Sequence, residues 1–256
     1  MSNGVAIVTG ASQGIGRATA IRLAKEFSCI LLVARNKDKL DETASQIVAF
    51  GATPLVVATD LSAREAASAV VAKAVDAFGA IDALVNIAGA VPQVDVMEMT
   101  DEQWDAGMAL KFHGARRLTQ HAWPALVASK GSVIFTSGNS ALLPKAGYAA
   151  VGSINAAIVA LSKTFADKGQ PVGVRVNSVM PGAVMTGRRR SYLERWASAH
   201  HMTVEEATAR FPKEAGISRY GEPEDIAELM AFLVSPAAKW MTGTSVRMDG
   251  GEVKAV

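Results

Sequence analysis

Seven short aliphatic runs recur along the chain, each separated from the next by a segment with a helical pattern. They are VAIVTG (5–10), CILLVAR (29–35), PLVVATD (54–60), IDALVNIAG (81–89), GSVIFTSG (131–138), VGVRVNSVMPG (172–182) and TSVRMDG (244–250). Most are continuously apolar, the pattern of strands buried on both faces of a parallel sheet. Stretches such as GIGRATAIRLAKEF and EPEDIAELMAFLVSP between them read as helices. Parallel strands need crossovers, so the alternation predicts an α/β fold: a doubly wound parallel sheet of about seven strands, helices on both faces. Half the residues are apolar, enough for a large core, and no Pro/Ser-rich linker divides the chain, so residues 1–256 read as a single domain. The one long interruption, polar residues 183–218, follows the C-terminal end of a strand, where ligands bind in such sheets. It reads as a lid or substrate-binding insertion.

Composition narrows the partners. A net charge of +2 gives no basis for a nucleic-acid partner. Cys29 is the only cysteine, so no internal disulfide can form, and its setting in SCILLVA suggests a buried strand thiol. With the lone cysteine the histidines make no metal site, so no metal is expected. The start, MSNGVAIVTGAS, lacks the features of a signal peptide, and no apolar run approaches the roughly 18 residues that span a bilayer. A cytoplasmic protein without a membrane partner is the expectation.

The first strand runs into Thr9-Gly10-Ala11-Ser12-Gln13-Gly14-Ile15-Gly16 and then a helix. Glycines at 10, 14 and 16 let the backbone turn tightly and approach a pyrophosphate at the helix N-terminus. A plain strand–helix turn would show a similar pattern. Here the chain resembles the short-chain dehydrogenase/reductase family, from residue 4 to about 251. TGASQGIG resembles the family's TGxxxGxG loop. Asp60, followed by Leu61 in ATDLS, stands where the family aspartate contacts adenine. Asn86-Ile87-Ala88-Gly89 resembles the NNAG segment, with Ile87 in place of the second asparagine. Pro181-Gly182, with Val184 and Thr186 following, is similar to the segment that flanks the nicotinamide. GEPEDIAELMAFLVSP and TGTSVRMDGG resemble the family's last helix and strand. The resemblance implies a single-domain Rossmann-type fold, a nicotinamide cofactor, a carbonyl or alcohol substrate that the sequence does not name, and a homotetramer or homodimer. Residues 149–160 and the C-terminal SVRMDGGEVKAV are the regions through which relatives pair.

The second strand ends in Val33-Ala34-Arg35-Asn36, without the acidic residue that would accept bonds from the ribose of NAD. Arg35 offers a charged fork suited to a 2′-phosphate, so NADP(H) is favoured over NAD(H). The alternative is a solvated arginine, and Gln13 stands where many NADP-binding relatives carry a basic residue.

The family's chemistry, as the resemblance implies it, uses a serine and a Tyr-x-x-x-Lys, with an asparagine on the preceding long helix. The tyrosine hydroxyl acts as acid or base, the lysine lowers its pKa, the serine orients the carbonyl, and the asparagine anchors a water-linked proton path. An ungapped register fixed by Val159-Ala160-Leu161-Ser162-Lys163-Thr164-Phe165 puts the serine position on Gly138, the tyrosine on Val151 and the lysine on Asn155. Tyr148 becomes a bystander at the helix start. Making it catalytic needs a three-residue shift, which rotates a helix by about 300°, and would leave Gly152 at the lysine position. The asparagine position, in Lys111-Phe112-His113-Gly114, is occupied by Lys111. Lysine and asparagine have thus changed places. Either both sites drifted after catalysis was lost, or a buried Lys111 compensates as a proton donor or oxyanion stabiliser.

Other candidates are His113 and His121 on the same long helix, and Tyr192, His200 and His201 in the insertion. Arg188-Arg189-Arg190 reads as a solvated face, or as an attractor of acidic substrates. Trp104, Trp123, Trp196 and Trp240 read as packing residues. Three functions stay open: an NADP(H)-linked oxidoreductase with an atypical site, a nucleotide-binding pseudoenzyme that regulates or scaffolds, and a non-redox enzyme on the same scaffold.

Overall fold

A computed structural model describes residues 2–254. The C-terminal stretch named above as a pairing region ends on Ala255 and Val256, which lie outside the described residues. The strands are β1 (Ser2–Thr9), β2 (Phe27–Ala34), β3 (Thr53–Ala58), β4 (Ala83–Asn86), β5 (Ser132–Thr136), β6 (Arg175–Pro181) and β7 (Ser245–Met248). All pair in parallel, in the order β3-β2-β1-β4-β5-β6-β7. Each of the seven aliphatic runs supplies one strand. The order reverses direction between β1 and β4, the crevice at which open α/β sheets bind ligands.

The continuous apolar runs fill two cores at once, because successive strand side chains point to opposite faces. Ala6, Val8, Ile30, Leu32 and Val85 enter one core with α1 (Gly14–Leu23), α2 (Lys37–Val48) and α9 (Pro223–Val234). Ile7, Leu31, Val33, Leu84 and Phe135 enter the other, with α3 (Ala66–Phe78), α5 (Ala115–Ser129) and α6 (Ala149–Gly169). Burying such a side chain fully stabilises the fold by about 1.5–3 kcal/mol.

Two departures from the sequence reading matter. The segment Ala146–Val172, α6 with its flanking turns, is long and apolar enough to cross a bilayer by length and composition. Its hydropathy comes from many small residues rather than from one unbroken aliphatic run. Here it packs along β6 and β5. The long helix of Lys111 is also not uniform. It consists of α4 (Asp101–Gly107), a π-helical segment (Met108–Gly114) and α5. Widened turns of this kind gather at functional sites.

Residues 183–218 hold α7 (Gly187–Ala199) and α8 (Val204–Ala215), started by Thr186 and Thr203 caps. Leu193, Phe211, Ile217 and Tyr220 form a small core of their own beneath them.

Candidate functional site

A cleft of about 410 Å³ opens at the C-terminal ends of the central strands. Its floor is the glycine loop. Gly10 leaves β1 at φ 69°, and a Cβ there would lie 3.1 Å from the Ala88 nitrogen. A Cβ on Gly16 would fall 2.1 Å from the Gly10 carbonyl oxygen, so only glycine lets α1 descend this closely on the turn. Thr9 Oγ1 accepts from the Ile87 and Ala88 amides at 2.9 and 3.0 Å, which ties the end of β1 to the end of β4. That bond uses backbone amides, so Ile87 supports the turn as an asparagine would. Gln13 begins α1 without a side-chain cap, and the first turn carries no acidic residue. The amides there are left for an anion.

Ser12, Gln13, Gly14, Ile15, Leu61, Ala88 and Gly89 line this cleft with Asp60. The Asp60 carboxylate accepts from the Ser62 amide at 2.9 Å, and this bond holds its pKa below the usual range. Arg35 stands exposed on the far wall, with Lys39 beside it. Asn36 Oδ1 accepts from the Lys39 amide at 2.9 Å, so Asn36 caps α2 and sets the lysine at the cleft. The sequence reading missed Lys39; its place one turn into a helix that opens at the cleft was the available signal. Asn86 is the exception among the expected cofactor contacts. It is buried beside the cleft rather than lining it, donating to Thr119 Oγ1 at 3.2 Å.

A second pocket of about 260 Å³ adjoins the first, and Lys111, Thr136, Thr186 and Arg188 line both. Pro181, Gly182 and Val184 line its far side. The ungapped register brings its three positions together here, since Gly138, Val151 and Asn155 all face this pocket. Lys111 Nζ donates to Asn155 Oδ1 and to the Ser137 carbonyl at 3.3 Å. Asn155, only 3% exposed, passes the chain on: its Nδ2 donates to Ser140 Oγ at 2.8 Å. Ser140 is buried in the same pocket and was missed by the sequence reading, because nothing in GNSALL marks it. Ser137, the serine nearest the expected position, also lines the pocket, but its hydroxyl is spent on the Asn155 carbonyl, to which it donates at 2.8 Å.

The Gly138 position is shaped by Asn155. A Cβ at Gly138 would come within 2.8 Å of Asn155 Nδ2. The missing side chain at one position makes room for the amide at the other.

Burial pushes the Lys111 ammonium down to about 7, and the Arg188 guanidinium adds to the effect. The residue as a whole is half-buried and lines both clefts. Its hydrogen-bond partners are neutral carbonyl oxygens, so no anion offsets the loss of water. Two of the three ammonium hydrogens are engaged, which leaves one for a group in the cleft. Thr136 Oγ1, at the same junction, is buried with no hydrogen-bond partner among the described residues.

Tyr148 also lines the second pocket, at the end of a 3₁₀ turn (Ala146–Tyr148). Burial, and then the nearby Glu252 carboxylate, raise its pKa. Both changes make it a poorer base near neutral pH.

The glycine cradle, the open helix N-terminus and the cations at Arg35 and Lys39 fit a dinucleotide. Residues 10–252 match the family model described as enoyl-(acyl carrier protein) reductase. The chain belongs to the short-chain dehydrogenase/reductase family. The short-chain reductase protein NovJ of Streptomyces niveus is 32% identical over 247 residues, covering 96% of this chain and 93% of that one. The 3-oxoacyl-[acyl-carrier-protein] reductase of Thermotoga maritima is 28% identical over 250 residues, covering 97% of each. The crystal structure of L-sorbose reductase from Gluconobacter frateurii, complexed with NADPH and L-sorbose, superposes with a TM-score of 0.93 at 33% identity over the whole of both chains.

Of the remaining candidates, this short-chain reductase relative brings only Tyr192, Arg188 and Arg189 to the pocket. His113 packs edge-on against Phe112, ring centroids 5.2 Å apart, and lines neither cleft. His121 lines neither cleft, and His200 and His201 stand exposed at the end of α7. Arg189, placed on a solvated face by one sequence reading, is half-buried over the Tyr192 and Phe211 rings. Trp240, expected to pack, is 97% exposed.

Proposed function

We propose that this chain is an NADP(H)-dependent short-chain oxidoreductase of carbonyl or alcohol substrates in which Lys111, held by Asn155, exchanges the proton with the substrate oxygen. The observation that carries the reading is the bonded series from Lys111 through Asn155 to Ser140, in the pocket where the resemblance implies serine, tyrosine and lysine. Drift at two unrelated positions gives no reason for the exchanged residues to bond each other. Nor does it explain a glycine whose absent side chain makes room for the amide.

The cofactor would be held by the glycine loop at its pyrophosphate, by Asp60 near the adenine, by Arg35 and Lys39 at the 2′-phosphate, and by the Pro181–Thr186 segment at the nicotinamide. When bound, it supplies the hydride that reduces a carbonyl carbon. Lys111 gives the carbonyl oxygen a proton and is left as a neutral amine. In the reverse direction the amine takes the hydroxyl proton. A lysine titrating at about 7 can do both near neutral pH. Asn155 keeps the amine aimed at the junction of the two clefts. Because Ser140 Oγ accepts from Asn155, its own hydrogen is free to turn to the same substrate oxygen. The α7–α8 hairpin forms one wall of the pocket and would serve as the lid.

NADPH oxidation with a carbonyl panel, measured for the wild type and three variants, tests the reading. Lys111→Met should abolish turnover and leave NADPH binding largely intact. Ser140→Ala should lower kcat/KM by about tenfold to a hundredfold, whereas Tyr148→Phe should change it little. Turnover that vanishes in Tyr148→Phe and survives in Lys111→Met would overturn the assignment. NADPH binding with no turnover of any carbonyl would favour the pseudoenzyme.

A further inference from the structure

The second pocket has an unbalanced charge. Lys111, Lys145, Arg188 and Arg189 line it against a single carboxylate, Glu252. That is an excess of three positive groups when Lys111 is protonated, in a chain whose whole net charge is +2. Glu252 is already engaged, accepting from Asn139 Nδ2 at 2.7 Å. None of the four cations forms an ion pair among the described residues. Arg188 is bonded only to a neutral acceptor, the Val91 carbonyl at 2.9 Å. Like charges gathered in a concave site raise its potential, and an anion relieves it.

Arg189 and Lys145 are the informative pair, because they line the second pocket and not the cofactor cleft. Their charge is therefore not accounted for by the phosphates of a dinucleotide. The Arg189 guanidinium lies 5.1 Å from the Tyr192 ring centroid and 4.8 Å from that of Phe211. Two aromatic neighbours limit its motion. A guanidinium so held offers a planar fork that matches a carboxylate. Lys145 stands exposed at the rim, where it can draw an anion in.

We infer that the second pocket recognises a carboxylate on the substrate, held by Arg189 with Lys145, so that the substrate is a small oxo acid or the matching hydroxy acid. The inference rests on the oxidoreductase reading for the oxo group and on the charge imbalance for the carboxylate. Reduction adds a hydride at the carbonyl carbon and a proton at its oxygen; the carboxylate is unchanged.

The test is calorimetry on the NADP⁺-saturated protein with 2-, 3- and 4-oxo acids, each against its own methyl ester. At least one acid should bind tenfold or more tightly than its ester at low salt, and the gap should shrink at 0.5 M salt (Debye length about 4 Å). Arg189→Met should weaken that acid about tenfold to a hundredfold and the ester little, with a smaller loss for Lys145→Met. The salt series on the wild type keeps the inference testable if Arg189→Met does not fold. No acid binding more tightly than its ester, or a gap insensitive to both salt and Arg189→Met, overturns it. Tighter binding of a hydroxyacetone phosphate ester than of every oxo acid overturns the carboxylate assignment. Tight acid binding without NADPH oxidation upholds the anion site and overturns the Lys111 reading instead. Equal turnover of acid and ester does the reverse.

Discussion

Gly138→Ala adds one methyl group to the site, and the structure says what it meets. The glycine has φ 170°, extended backbone that any residue adopts, so the substitution brings no backbone strain. The obstacle is Asn155 Nδ2, 2.8 Å from the new Cβ. The amide cannot turn aside freely, because its oxygen is held by Lys111 and its nitrogen by Ser140. Overpacking of this kind costs about 1–3 kcal/mol, and relieving it by giving up one hydrogen bond costs about 0.5–1.5 kcal/mol. The melting temperature should fall by about 2–4 °C for each kcal/mol in a chain of this size. The Asn155→Ala background removes the amide, so there Gly138→Ala should cost under about 0.5 kcal/mol. Urea unfolding of the four proteins closes a double-mutant cycle with an expected coupling of about 1 kcal/mol or more. Equal cost in both backgrounds would refute the idea that the glycine exists to seat Asn155.

Three further outcomes are expected. NADPH should bind more tightly than NADH, and Arg35→Ala should remove about tenfold to a hundredfold of the preference; equal affinities in the wild type would contradict this. Because burial depresses the Lys111 pKa to about 7, the unfolded chain binds more protons between about pH 7 and 10. Stability should therefore rise with pH across that window, by at most about 1.4 kcal/mol per pH unit, and Lys111→Met should lose that increment in urea unfolding. The oligomer implied by the family resemblance is supported by exposed Phe232 on α9, Trp240, and Met248 on β7, one of the two edge strands of the sheet. Light scattering at micromolar concentration should give a homotetramer or homodimer, and a monomer mass would reject it.

The fold was legible because most of the strands are nearly continuous apolar runs, as in β2 and β4, and such runs are buried on both faces of a parallel sheet. Gly10 and Gly14 were legible because the turn needs a positive φ at both, and Gly16 because the close approach of α1 to that turn tolerates no Cβ. Val151 and Asn155 were legible as neighbours through their spacing along α6, and Gly138 through its distance from the end of β5. The exchange of lysine and asparagine was legible, but the bond between them was not, and neither was Ser140, since a serine in a loop has no period to betray it. The π-helical segment was hidden because its apolar residues still recur as in an α-helix. Arg189 misled the reading of one triplet: a run of three arginines looks solvated, while a helix turns one of them inward over Tyr192 and Phe211. Trp240 shows the opposite error, a large apolar residue that the single chain leaves uncovered.

The central claim is that Lys111 is a proton-exchanging group near neutral pH, and its titration can be followed directly by NMR of ¹³C-labelled lysine side chains in the wild type and in Lys111→Met. One lysine signal should titrate at about pH 7 and be missing from the variant. If every lysine instead titrates near its ordinary value, above about pH 10, Lys111 remains charged at neutral pH and cannot serve as the site's acid and base.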